Sequence, residues 1–236
     1  DRIHIYPSVG LGILGPSTTY LVPSQPLCVA VADLAGDASM DIATIGSTTG
    51  TFSILAGNGH GGVDSGIEFP VGNGPSDIAT EDLDDDGFLD LVTANRVAGT
   101  TTVLPGRGYL DFGPRSDYTT HPEPTTLVVA DWNTDGLHDL TTVSPGAFVS
   151  VLLGQPEGDY AQVPSSPIDG NVQFVQPARL NDDALPDFFM AGAGRIFTAI
   201  GRGDGTFDAP QLREQRYSSS TVGDANGDGY DDIIVS

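Results

Sequence analysis

The sequence predicts an all-β protein assembled from a repeated unit of four antiparallel strands, and three observations carry the prediction. An Asp-rich loop recurs, beginning at Asp33, Asp82, Asp131, Arg179 and Asp224, with spacings of 49, 49, 48 and 45 residues. Gly and Pro are abundant, at 31 and 17 residues, and divide the chain into short runs. Those runs are rich in Val, Ile, Thr and Tyr, side chains that suit a pleated, half-buried surface. A period just under 50 residues is the size of a four-stranded propeller blade.

The second unit shows the pattern, with strand-like runs at 76–82, 89–94, 100–104 and 115–119. The Asp-rich loop joins the first run to the second. A Gly-rich turn joins the third to the fourth, as at Gly57-Asn58-Gly59, Gly106-Arg107-Gly108 and Gly201-Arg202-Gly203. Residues 3–7 match a third run and 18–22 a fourth, while 232–236 match a second. The chain thus supplies two strands, then four full sets, then two more. The expectation is a single β-propeller domain over 1–236 with five blades, closed by pairing the N- and C-terminal strands so that no sheet edge is left open. A five-repeat part of a larger ring, or closure between chains, is the alternative.

Three loops share one spacing of oxygen-bearing residues. They are Asp82, Asp84, Asp86, Phe88 and Asp90; Asp131, Asn133, Asp135, Leu137 and Asp139; and Asp224, Asn226, Asp228, Tyr230 and Asp232. Side-chain oxygens fall at positions 1, 3, 5 and 9, with Gly at position 6. Calcium takes six to eight oxygens, and alternate positions of a tight loop point inward. The position-7 carbonyls, of Phe88, Leu137 and Tyr230, are candidate main-chain ligands. Two carboxylates about 4 Å apart repel by roughly 4 kcal/mol at an effective dielectric near 20, which argues for a bound cation. Zinc would call for His or Cys here, and magnesium prefers a more rigid octahedron. About three calcium ions are expected.

Two loops are degraded. Asp33, Asp37, Ser39 and Asp41 remain in the first, where Ala35 removes a ligand and Ala38 replaces the Gly; it is a weak fourth site. In the fourth loop Arg179 stands at position 1, and its guanidinium is expected to pair with Asp183 and Asp187 in place of an ion.

The loop Asp-x-Asp/Asn-x-Asp-Gly-x-x-Asp, followed by hairpins such as Ser150-Val-Leu-Leu-Gly154 and Gly203-Asp-Gly-Thr-Phe207, resembles the FG-GAP or VCBS repeat family, which includes the integrin α head. The resemblance covers the whole chain. It implies a calcium-binding propeller, secreted or on a cell surface, whose partners bind a face or rim away from the ions. Many such propellers have seven blades, so five is a departure.

Charge narrows the partners. The formal net charge is -23, from 32 acidic and 9 basic residues. Such a chain repels nucleic acid and anionic membranes, and no apolar run is long enough for a membrane helix. Cys28 is alone, so no intrachain disulfide forms. The four His residues, His4, His60, His121 and His138, fall at different phases of the repeat and suggest no catalytic group. The leading expectation is a non-enzymatic binding or adhesion module for a glycan or an extracellular protein. A structural subunit of an extracellular filament, with self-association, is an alternative, and an accessory domain of a larger secreted enzyme is another. Trp132, the only Trp, is expected to pack beside its own loop rather than serve as a sugar platform.

Overall fold

In the computed structural model, the described residues are 2–22, 25–46, 48–64, 66–146, 148–156, 158–164, 166–167, 172–215 and 219–236. They form β-strands and turns, with no helix among them. The chain divides into two compact units, Asp1–Thr119 and Thr120–Ser236.

The first unit opens with β1 (Arg2–Ile5) and β2 (Thr18–Leu21), a two-stranded antiparallel sheet. Two four-stranded sheets follow, each a simple meander. One contains β3 (Pro26–Ala32), β4 (Asp41–Gly46), β5 (Thr51–Leu55) and β6 (Ile67–Pro70). The other contains β7 (Pro75–Glu81), β8 (Asp90–Asn95), β9 (Thr100–Leu104) and β10 (Ser116–Thr119). The runs expected in the second repeat are therefore present with shifts of about one residue.

The second unit repeats the design. Its first sheet holds β11 (Thr126–Ala130), β12 (Asp139–Ser144), β13 (Phe148–Gly154) and β14 (Tyr160–Gln162), with the two-residue β15 (Ser166–Pro167) also on β13. Its second holds β16 (Phe174–Ala178), β17 (Asp187–Gly192), β18 (Arg195–Ala199) and β19 (Gln211–Gln215). The last two strands, β20 (Ser220–Gly223) and β21 (Asp232–Val235), pair with each other. Among the described residues β1 pairs only with β2 and β21 only with β20. The joint terminal blade expected from the sequence is not formed as one sheet.

Burial explains the composition of the strands. Every residue of β8, β12 and β17 is buried, as befits a middle strand covered on both faces. The first unit packs Phe52, Phe69 and Phe112 together, with Phe52 stacked on Phe69 at 5.0 Å and Phe112 edge-on to both. The second packs Trp132 edge-on to Phe188 at 4.4 Å and to Phe207 at 5.5 Å. Trp132 is fully buried, so it is a core residue at position 2 of its loop, as expected. Leu34 holds position 2 of the first loop and is buried in the same way. This inward residue ties each of these two metal-type loops to the blade core.

Candidate metal centre in the Asp-rich loops

The loop between β7 and β8 folds because its carboxylates curl back onto their own backbone. Asp82 accepts from the amides of Asp86 at 3.1 Å and Gly87 at 2.9 Å. Asp84 accepts from Asp86 at 3.3 Å, and Asp86 accepts from Phe88 at 2.8 Å. Such side-chain-to-backbone turns are the habit of Asp and Asn. They bring oxygens of Asp82, Asp84 and Asp86 within 4.8 Å of one another. The bend falls at Gly87, whose φ of +89° is the left-handed region that Gly occupies without a Cβ penalty.

The loops at 131 and 224 repeat this geometry. Asp131 accepts from Asp135 and Gly136, Asn133 from Asp135, and Asp135 from Leu137. Asp224 accepts from Gly227, Asp228 and Gly229, Asn226 from Asp228, and Asp228 from Tyr230. The expected position-7 residues Phe88, Leu137 and Tyr230 thus sit beside position 5 at the exit of each loop.

Position 9 has a role that spacing did not disclose. Asp90 is buried, and both its oxygens are taken by backbone amides: Leu83 at 2.8 Å and Gly106 at 2.7 Å. Asp41 binds Leu34, Ala35 and Gly57 in the same way, Asp139 binds Trp132 and Gly154, and Asp187 binds Leu180 and Gly201. The position-9 carboxylate therefore brackets its own loop to the turn that follows the third strand. Asp232 accepts from Ala225 at 3.1 Å. The signal that could have revealed the bracket is a Gly recurring 16, 16, 15 and 14 residues after the Asp.

Burial sets the electrostatics. The carboxyls of Asp90 and Asp139 are pushed up to about 6, chiefly by desolvation, against the pull of their amide donors and with added repulsion from the loop carboxylates. Asp187 is raised for the same reason. Asp224, by contrast, is exposed and lowered, because the amides of Gly229 and Gly227 stabilise its charge.

The degraded loops differ in informative ways. In the first, Asp33 accepts from Gly36, Asp37 and Ala38, and Asp37 accepts from Ser39, so the fold of the loop survives. Ala38 must hold φ at +68° where the intact loops have Gly. In the fourth, Ala184 does the same at +63°. Arg179 forms no ion pair with Asp183 or Asp187 among the described residues. Asp187 is occupied by backbone amides, and Asp183 accepts from Asn181 and Leu185. The guanidinium instead lies over the ring of Tyr230, 5.4 Å from its centroid. Arg179 therefore does not bridge Asp183 and Asp187, contrary to the pairing expected from the spacing.

The donor set of the three intact loops is carboxylate and amide oxygen, without His or Cys. It fits a hard divalent cation of calcium type. Among the described residues no cationic side chain pairs with Asp82, Asp84 or Asp86.

Solved structures share the fold of this chain at low identity. A lectin from Agrocybe aegerita, described as recognising non-reducing terminal N-acetylglucosamine, superposes with a TM-score of 0.59 at 16% identity, over 88% of this chain and 60% of that one. BBS1N, crystallised in complex with ARL6DN, gives 0.62 at 14% identity, over 99% of this chain and 67% of that one. The V. cholerae biofilm matrix protein Bap1 gives 0.52 at 21% identity, over 82% of this chain and 30% of that one. This chain therefore spans 60% of the lectin chain and less than a third of Bap1. No curated protein matches it by sequence. No helix among the described residues is long and apolar enough to cross a membrane. Residues 179–235 match the model of the FG-GAP-like repeat, and the Asp-rich loop of that segment recurs in the earlier repeats that begin at Asp33, Asp82 and Asp131.

Proposed function

We propose that this chain is a calcium-stabilised β-propeller that acts, without catalysis, as a binding module for a glycan or a protein outside the cell. The observation that carries the calcium half is the convergence of Asp82, Asp84 and Asp86 within 4.8 Å, with no cationic side chain beside them among the described residues. Three ions are proposed, at the loops beginning with Asp82, Asp131 and Asp224, with a weaker fourth at Asp33. A five-bladed propeller over 1–236 belongs to the same reading, supported by the five-fold recurrence of the loop at 33, 82, 131, 179 and 224. The binding half draws support from the propeller-like neighbours, among them a lectin, a matrix protein and a partner-bound domain. Screening on a glycan array with and without chelator tests it. Chelator-sensitive binding to a defined glycan supports the lectin form. Silence across the array, with capture of a protein ligand, supports the adhesion form.

One observation favours assembly with further copies. On β3, the apolar Leu27, Val29 and Val31 are 57%, 50% and 62% exposed and line, with Ile3 and Ile5 of β1, an open pocket of the first unit. Light scattering across calcium concentrations tests this: a strictly monomeric profile rejects it.

A further inference from the structure

The fourth Asp-rich loop lacks a position-1 carboxylate, yet it is not left loose. It is clasped to the fifth loop, within the second unit, by contacts on Tyr230 and Asp231. The guanidinium of Arg179 lies over the Tyr230 ring at 5.4 Å. The Tyr230 hydroxyl donates to Asp182. The backbone completes the clasp: the Arg179 amide donates to Asp231 Oδ2 at 2.8 Å, and the Asp231 amide donates to the Arg179 carbonyl at 2.8 Å. Tyr230 is held from the other side by its own amide, which donates to Asp228 Oδ1 at 2.9 Å.

The placement of these contacts gives them a consequence. Tyr230 is position 7 of the fifth loop, the residue whose carbonyl is the main-chain ligand in the proposed site. Asp231 lies between it and Asp232, at position 9. Fixing the ring at one end and the Asp231 backbone at the other fixes the peptide that carries the ligand oxygen. A loop with its ligand oxygen already in place loses less conformational entropy on binding. In the first unit the corresponding neighbours are apolar. Phe88, also position 7, lies beside position 4 of the preceding loop, where a Cβ on Gly36 would sit 3.7 Å from its ring. The fourth and fifth loops replace that contact with a phenol, a carboxylate and a guanidinium.

We propose that Arg179 and Asp182 are affinity-setting residues for the calcium site of the next loop, acting through Tyr230 rather than on the ion. The fourth loop has given up its own cation site and serves as a brace for its neighbour. The inference rests on the calcium reading of the Asp224 loop.

Terbium titration of the whole chain separates the two. Terbium takes calcium sites and emits when an aromatic donor is close. Excitation of tyrosine reports every loop with an aromatic donor nearby, and the part of that emission lost in Y230F is the Asp224 loop's. Red-edge excitation, which tyrosine does not absorb, selects the single Trp132 and reports the Asp131 loop. R179K keeps the charge and loses the planar stack. In R179K and in D182A the Tyr230-sensitised midpoint is expected to move to roughly three- to tenfold higher terbium, the loss of one cation–π contact or one hydrogen bond. D182N, which keeps the acceptor and loses the charge, leaves it in place. Equal weakening in D182N and D182A places the effect on the ion and overturns the inference. The Trp132-sensitised midpoint stays in place. An unmoved Tyr230-sensitised midpoint in both R179K and D182A overturns the inference while leaving the calcium reading intact. Equal weakening of both signals also overturns it, because the effect is then general destabilisation. Absence of sensitised emission and of calcium-binding heat in the unmodified protein overturns the calcium reading itself, and the inference with it. Calcium competition in the same cuvette confirms that the sites are calcium sites.

Discussion

The amide of Gly106 donates to the buried carboxylate of Asp90 at 2.7 Å, joining the end of a metal-type loop to the turn that follows β9. The approach is so close that a Cβ on Gly106 would lie 2.2 Å from the Leu89 carbonyl oxygen. Gly57, Gly154 and Gly201 stand equally close to the carbonyls of Met40, His138 and Pro186, at 2.2, 2.6 and 2.2 Å. These glycines carry no positive φ and are required for space alone.

Gly106→Ala therefore forces the turn away from β8 and leaves one oxygen of a buried carboxylate without its donor. The expected loss is about 3 kcal/mol, combining steric displacement with an unsatisfied buried acceptor. Chemical denaturation of the variant against the parent checks it. A loss under about 0.5 kcal/mol, the ordinary scatter of surface changes, would reject the bracket as a stabilising feature.

The bracket also fixes a pH dependence for the metal-free protein. An Asp in the unfolded chain titrates near 3.9, while Asp90 and Asp139 in the fold titrate at about 6. Between these values the folded state binds the extra protons. Stability of the metal-free form then falls as pH rises through about 6, and is recovered on acidification towards 4. The depressed Asp224 acts oppositely, but only below about pH 4, where its unfolded counterpart gains a proton. With calcium bound the trend in the upper window reverses, because protons then compete with the ion. Thermal melts from pH 4.5 to 7.5, with chelator and with calcium, should slope in opposite directions. Asp139→Asn should flatten the metal-free slope.

Repair of the first loop offers a gain-of-function test. Ala38 and Ala184 hold φ values of +68° and +63°. A left-handed non-Gly residue costs roughly 1–2 kcal/mol, partly offset by the extra freedom that Gly brings to the unfolded chain. Ala38→Gly and Ala184→Gly should each stabilise the protein by about 0.5–1 kcal/mol. Adding Ala35→Asp to Ala38→Gly restores the full oxygen set beside Asp33, Asp37 and Asp41. Equilibrium dialysis should then show one more tightly held calcium per chain than the parent.

Much of this was legible in the residues, and the reasons for the remainder are physical. Strands β7 to β10 were readable because alternating β-formers bounded by Gly and Asp have few other folds. The loop was readable because its ligand spacing and Gly87 are local. The bracket was not, because Asp90 meets Gly106 through a 16-residue detour that no local pattern encodes. Arg179 misled for a similar reason. The carboxylates expected as its partners, Asp183 and Asp187, accept from backbone amides instead, and the guanidinium lies over Tyr230, 51 positions further along. Phase also marked β1 and β21 as complementary strands. It did not determine their pairing: among the described residues β1 pairs with β2 and β21 with β20.

The calcium reading is tested most directly by titrating the chelator-stripped protein with calcium while recording bound ions and the melting temperature together. Extracellular-type sites bind with dissociation constants of about 10⁻⁴ to 10⁻³ M. At tenfold excess each site adds roughly 1.4 kcal/mol, so three sites add about 4 kcal/mol. For a chain of this size that is a rise in melting temperature on the order of 10 °C. The predicted result is three bound ions and a rise of that order. A melting temperature that is the same in chelator and in millimolar calcium, with no ion retained, would contradict it.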